Sequence, residues 1–327
     1  MRINLSKFLQ LKFNVFIYRS LGWGIAHIYI IILGRLYLFF SIKEKKKIVL
    51  AVEAVFSNHK KHPEIRSITG NIYKGILYHY YEKLFNAFSS AEELKNFMRK
   101  NMEDEGLAAI EEGLSMGKGV LLVTSHFGGV EFAPGYLAEK HFPVTIIVRF
   151  SSRSLRDISI EKASKFSSRI IDADSTPNIL KAIHDNLKEN RVVITQCDEI
   201  DEWKSSRENI DFMGNQIKLD RTINILTRRM DTYTAFAVMH RVKGGKYRFI
   251  VNSLNDILAK LKSQKNKSTG ALVLKFLEHY IYKFPEEWYQ WKKHYGIIDF
   301  PSPRNVPHKA LLAGILRPAC RGLINTY

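Results

Sequence analysis

The sequence predicts an α/β fold, a mixed sheet flanked by helices, with an N-terminal apolar membrane-anchoring helix in front. Three observations predict it. Short apolar runs alternate with amphipathic stretches after Gly117, a helical pattern fills the region before it, and Leu21 to Phe40 is apolar except for His27 and Arg35. Such alternation makes a sheet covered by helices. With 327 residues, 46% of them hydrophobic, the chain can bury one large core, which fits a single main domain better than two equal ones. The expected organisation is a membrane anchor over 1–47, a helical layer over 48–116, an α/β core over 117–300 and a peripheral basic tail over 301–327.

Each element has its own reason. About 20 apolar residues cross a hydrocarbon core, and Leu21 to Phe40 nearly reaches that length before the basic run Lys43 to Lys47. Trp23, Tyr29 and Tyr37 are interfacial aromatics, and the mixture of Lys7, Lys12 and Arg19 with Leu9, Phe13 and Phe16 suits a helix lying on a membrane. A spanning helix and a monotopic one both fit, and so does a long buried core helix. In the helical layer, Ile72, Ile76, Leu77, Tyr80, Tyr81, Leu84 and Phe85 recur at spacings of three and four, with little strand signal up to Met116.

In the core, Val120 to Thr124, Val144 to Val148, Arg191 to Thr195, Ala235 to His240 and Tyr247 to Asn252 read as strands. A helix is expected from Pro177 to Glu189, capped by Ser175 or Thr176, with Ile179, Leu180, Ile183 and Leu187 facing inward. Fifty Lys and Arg against 32 Asp and Glu give a net charge of +18, which favours nucleic acid, an anionic bilayer or an acidic carrier protein. No arginine-rich tract, zinc-finger spacing or RNA-binding signature is present, so nucleic acid is the weakest of the three. Cys197 and Cys320 form no CxxC pair, which argues against a disulfide framework or a structural zinc site.

The most informative stretch is Val120-Leu121-Leu122-Val123-Thr124-Ser125-His126-Phe127-Gly128-Gly129-Val130-Glu131. An apolar strand ends in a histidine, and parallel sheets place their chemistry at carboxyl-terminal strand ends. If the chain turns into a helix near Gly128, Glu131 can fold back onto one imidazole nitrogen and leave the other to take a proton from a hydroxyl. The bland alternative is a strand-end His followed by a Glu that only complements a helix dipole.

These residues resemble a known family, the bacterial lipid A late acyltransferases of the lysophospholipid acyltransferase superfamily. Ser125 to Glu131 is similar to its catalytic block, a His, four residues, then Asp or Glu, with Gly129-Val130 in place of the usual Asn-Trp. Val148-Arg149 resembles the arginine ending the next strand, Ile194-Thr195-Gln196-Cys197-Asp198 the strand that ends in Asp, Phe212-Met213-Gly214 the Phe-Phe-Gly or Phe-Leu-Gly turn, and Phe284 to Trp291 the closing Pro-Glu-Gln-Trp/Tyr-x-Trp block. The resemblance implies a glycerolipid acyltransferase-like fold at the cytoplasmic face of the bacterial inner membrane.

It also implies transfer of a fatty acyl chain from an acyl carrier protein or coenzyme A thioester to a hydroxyl of a lipid A-type glycolipid, with no acyl-enzyme, cofactor or metal. On that reading His126 is the general base and Glu131 fixes its tautomer. The amides of Gly128 and Gly129 are candidate donors to the thioester oxygen. Arg149 meets that charge or a phosphate, or pairs with Asp198, which organises the pocket. The implied partners are an acidic acyl carrier protein, anionic membrane lipids and the glycolipid acceptor, with no nucleic acid. The departures from the family pattern keep other acceptors open, among them a lysophospholipid, an aminolipid or another envelope lipid, as well as an inactive membrane-bound homologue.

Overall fold

The apolar run after Leu21 folds as the second half of a long helix, α1 (Lys12–Phe40), kinked at Gly22, whose φ of 75° is accessible to glycine without a Cβ clash. The computed structural model describes residues 8–57, 61–150, 152–200, 208–219, 221–262 and 267–298; the expected tail at 301–327 lies outside them. The stretch Gly22–Phe40 is long and apolar enough to cross a membrane. Its two faces differ in partner. Ala26, Ile30 and Leu38 are buried with Leu77 and Leu84, whereas Ile25, Ile28, Ile32, Leu36, Phe39 and Phe40 are exposed at helical spacing. This helix is a candidate membrane anchor, docked by one apolar face and bare on the other.

The anchor packs on α3 (His62–Phe88), which follows α2 (Ile42–Phe56) and precedes α4 (Ala91–Asn101). Ser90 caps α4 by accepting from the Glu93 N–H at 3.1 Å, while the Glu93 carboxylate accepts the Ser90 N–H at 2.9 Å. The sheet then begins earlier than expected, with β1 (Met102–Glu105) inside the region read as helical. Its residues Met-Glu-Asp-Glu carry no apolar alternation; backbone pairing to a distant strand makes it a strand.

After α5 (Ala108–Ser115) come β2 (Val120–Thr124), α6 (Ala133–Glu139), β3 (Val144–Val148), α7 (Arg153–Lys165), β4 (Arg169–Asp172), α8 (Ile179–Lys188) and β5 (Val192–Gln196). A two-stranded antiparallel unit, β6 (Glu208–Phe212) and β7 (Asn215–Leu219), precedes α9 (Thr222–Arg229). The chain closes with β8 (Tyr233–Val242), β9 (Lys246–Ser253), α10 (Leu254–Leu261), α11 (Thr269–Lys283) and the short α12 (Trp291–His294). Helix α8 starts later than expected, because Asn178 rather than Ser175 or Thr176 accepts the capping bond, from the Lys181 N–H at 2.9 Å.

The main sheet has seven strands in the order β1-β9-β8-β2-β5-β3-β4. It is mixed: β2 runs parallel to β5 and β8, while β8 and β9 are antiparallel. Every residue of β2 is buried, as a central strand covered on both faces requires. Val120 and Leu122 join a core with Met98, Phe132 and Leu137, and the opposite face is covered in part by α11, where the Phe236 and Phe276 rings lie 5.7 Å apart. The carboxyl ends of β2, β3, β4 and β5 share one edge, and β8 extends past that edge.

Candidate active site

The chain Val120-Leu121-Leu122-Val123-Thr124-Ser125-His126 lies beside Val192-Val193-Ile194-Thr195-Gln196-Cys197-Asp198 in matched register, with Thr124 opposite Gln196. The Cys197 N–H continues the pairing to the Thr124 carbonyl at 2.9 Å. One step further, His126 meets Asp198.

Asp198 is fully buried, and its carboxylate is ringed by donors: the His126 backbone N–H at 3.0 Å from each oxygen, His126 Nδ1 at 2.9 Å from Oδ1, and the Trp288 indole N–H at 2.8 Å from Oδ2. A carboxylate accepts, so Nδ1 carries a ring proton, and in the neutral tautomer it is Nε2 that holds the lone pair. Nε2 points toward Glu199, whose Oε1 is 3.6 Å away and whose Oε2 is 3.8 Å from Lys293 Nζ. One imidazole nitrogen is therefore fixed by the buried Asp198 and the other faces Glu199.

The turn after His126 is clamped by the segment around Trp288. Phe127 and Trp288 form an antiparallel bridge, the Tyr289 N–H donates to the His126 carbonyl at 3.3 Å, and the Gly128 N–H donates to the Glu287 carbonyl at 2.9 Å. The Phe127 N–H reaches the Ser125 carbonyl at 2.7 Å and the Gly129 N–H the Met239 carbonyl at 2.8 Å. Gly128 has φ +60°, and a Cβ there would stand 1.8 Å from the Met239 carbonyl oxygen. Behind the turn, Arg241 holds the Gly128 carbonyl at 3.0 Å and pairs with buried Glu82 through two bonds of 2.7 and 2.6 Å, and the Tyr247 hydroxyl adds a third donor to Glu82 at 2.8 Å. Burial pushes the Glu82 carboxyl up, opposed by the Arg241 cation. The pair seats the floor of the turn.

This geometry departs from three sequence expectations. Glu131 does not meet the His126 ring: the turn passes into a short 3-10 stretch, Val130–Phe132, which carries Glu131 toward α3, where its Oε1 lies 3.7 Å from Lys83 Nζ and 3.9 Å from His79 Nε2. Strand register gives the ring Asp198 instead. The amides of Gly128 and Gly129 are committed to main-chain carbonyls, which removes them as donors to a thioester oxygen. Arg149 donates to Asp174 at 3.0 Å in an exposed pair, while Asp198 accepts from His126 and Trp288.

Four residues at the site went unassigned in the sequence. His79 and Lys83 come from α3, far from the motif, while Tyr289 and the Trp288 indole come from the closing block. The Tyr289 ring stacks on His79 at 3.5 Å and stands edge-on to His126 at 4.9 Å. The Asp198 pairing had a usable signal: each of two apolar runs of five residues is followed, two residues on, by a chemically active side chain.

A histidine held by a buried carboxylate thus stands at the carboxyl edge of a mixed α/β sheet, on a chain whose N-terminal helix is a candidate membrane anchor. A family model described as bacterial lipid A biosynthesis acyltransferase matches residues 29–295. The chain belongs to that family and is an acyltransferase. A comparison with curated proteins gave no match.

Proposed function

We propose that this acyltransferase moves a fatty acyl chain from an acyl carrier protein thioester to a hydroxyl of a lipid A-type glycolipid at the cytoplasmic face of the bacterial inner membrane, with His126 as general base and Asp198 as the acid that orients it. The observation that carries the reading is the Nδ1 bond of 2.9 Å to a fully buried carboxylate, which leaves Nε2 to accept a proton. Nε2 takes the acceptor O–H proton as the oxygen attacks the thioester carbon. The C–S bond then breaks and the departing sulfur receives that proton. General base catalysis of this kind contributes roughly a hundred- to ten-thousandfold.

Direct transfer, without an acyl-enzyme, is supported by the state of Cys197. Burial, reinforced by Asp198, holds its thiol well above the usual range, so the thiolate needed for attack is disfavoured. Arg149, at the same sheet edge, is the cation we assign to an anionic group of donor or acceptor. The net charge of +18 favours an acidic carrier, and the bare face of α1 favours a bilayer.

The test is transfer from carrier-linked fatty acid to glycolipid in vesicles, read by mass spectrometry of the lipid. The native protein adds one acyl mass, and His126→Ala loses at least about a hundredfold in rate. Unchanged transfer by His126→Ala would overturn the assignment of the base. A product on lysophospholipid or aminolipid, with none on the glycolipid, would move the enzyme to a different acceptor.

A further inference from the structure

A groove of about 350 Å³ lies where the first half of α1 meets the end of α3, the start of α4 and one face of α7. A second concavity, of about 240 Å³, shares Arg19, Phe88 and Ile158 with it and reaches Lys12 and Val15, so the two run together along α1. Their lining holds four cations, Lys12, Arg19, Lys162 and Lys165, against one carboxylate, Glu161, which pairs with Lys165 at 2.6 Å. Val15, Phe88 and Ile158 give the same groove an apolar surface.

One carboxylate leaves most of that charge unmet. Lys162 donates to the carbonyls of Asn86, Ala87 and Ser89, the last two at 3.0 and 2.8 Å, and so caps the end of α3. Burial, then repulsion from Lys165 and Arg19, pushes Lys162 down to about 8, and an anion in the groove would relieve the second cause. Arg19 lies over the Phe88 ring at 5.8 Å and forms no ion pair with a described residue, which leaves its fork of N–H donors open to an oxyanion. Beside the groove, Phe13 and Phe16, next in sequence to Lys12 and Val15, are 68% and 66% exposed. Bare aromatic rings next to a cationic groove suit a helix in the headgroup layer, where the rings enter the acyl boundary and the cations meet phosphates.

We propose that this groove binds the headgroup of an anionic phospholipid, with the phosphate on Arg19 and Lys165 and the glycerol end of the lipid along Phe88, Ile158 and Val15. A specific lipid contact then seats the first half of α1 on the bilayer. The volume suits one headgroup. A folded acidic carrier protein has no use for apolar surface recessed between helices, and a free phosphate has none for the exposed phenylalanines. This inference rests on the reading of α1 as a bilayer-facing helix and is independent of His126.

The experiment is flotation of the full-length protein at one salt concentration, with vesicles of phosphatidylcholine alone and of phosphatidylcholine mixed with phosphatidylglycerol. Three proteins are compared: the native chain, Arg19→Gln with Lys165→Gln, and a charge-matched control, Lys118→Gln with Lys188→Gln, whose positions do not line the groove. Each is first checked for native melting, and Arg19 and Lys165 are exposed, so their loss leaves the core intact. We expect the native chain and the control to prefer the anionic vesicles by about tenfold or more, and the groove variant to lose that preference at about fivefold per cation removed. Its binding to neutral vesicles stays native.

Equal losses in the groove variant and the control would mean diffuse attraction and overturn the site. A native chain that binds both vesicles alike would also overturn it while leaving the anchor standing, and one that binds neither would remove the anchor reading as well. Native flotation of the groove variant with weakened affinity for acyl carrier protein would hand this surface to the carrier. Stabilisation of the native chain by inorganic phosphate, with no preference for anionic vesicles, would make it a site for free phosphate instead.

Discussion

Replacing Asp198 with Asn keeps the shape of the side chain and removes its charge, and the hydrogen bonds around it set the size of the effect. The native carboxylate accepts from the His126 backbone N–H, from His126 Nδ1 and from the Trp288 indole. An amide has one oxygen for these donors. If the oxygen faces His126, the NH2 group opposes the indole N–H inside a fully buried site. If it faces the indole, the NH2 group donates to Nδ1 and forces the proton onto Nε2, which abolishes the base. Either arrangement removes most of the general base term, so kcat falls by about a hundred- to ten-thousandfold, or about 2.7 to 5.4 kcal/mol of transition-state stabilisation. The assay is single-turnover acyl transfer at saturating acceptor, with circular dichroism to confirm folding. A loss below about tenfold in a folded Asp198→Asn protein would refute the Asp198–His126 unit.

Three further predictions concern the scaffold. Gly128→Ala places a methyl against the Met239 carbonyl at a residue with φ +60° and costs more than about 3 kcal/mol, read as a large drop in melting temperature or loss of soluble protein; a native-like melt would contradict the clamped turn. Burial lowers His294 from 6.5 to about 3, and neither of its ring nitrogens has a hydrogen-bond partner among the described residues. The unfolded chain therefore binds a proton that the native state refuses as pH falls from 6.5 toward 3. Stability is complete above that window and is lost within it, by about 2 kcal/mol at pH 5, and His294→Phe shrinks this dependence in denaturant titrations at pH 7.5 and 5. Finally, Ile28→Lys with Ile32→Lys charges the bare face of α1 and leaves its buried face intact, so vesicle flotation falls severalfold; unchanged flotation would assign that face elsewhere.

The parts of the fold that the sequence announces are those whose burial writes a pattern. The runs at Val120, Val144, Arg191, Ala235 and Tyr247 are strands within two residues of their expected bounds, because strands covered on both faces need uninterrupted apolar or β-branched residues. β1 and the β6–β7 pair leave no such mark, since Met-Glu-Asp-Glu and Glu-Asn-Ile-Asp-Phe owe their strand state to backbone partners far along the chain or across a turn. The site divides in the same way. His126 could be placed at a strand end from local pattern alone, but the choice between Glu131 and Asp198 as its neighbour depends on the pairing of β2 with β5, a non-local fact. His79 and Lys83 were invisible as site residues because α3 reaches the motif through tertiary packing, which leaves no mark in the local helical pattern.

The account turns on which nitrogen of His126 holds the proton and which carboxylate keeps it there. Nitrogen-15 NMR of histidine-labelled protein in detergent or bilayer, with His126 assigned by substitution, measures both. Protonated Nδ1 with bare Nε2, unchanged in Glu131→Gln and lost in Asp198→Asn, is the predicted result. A proton on Nε2 in the native protein, or an Nδ1 signal that vanishes with Glu131→Gln and survives Asp198→Asn, would contradict it.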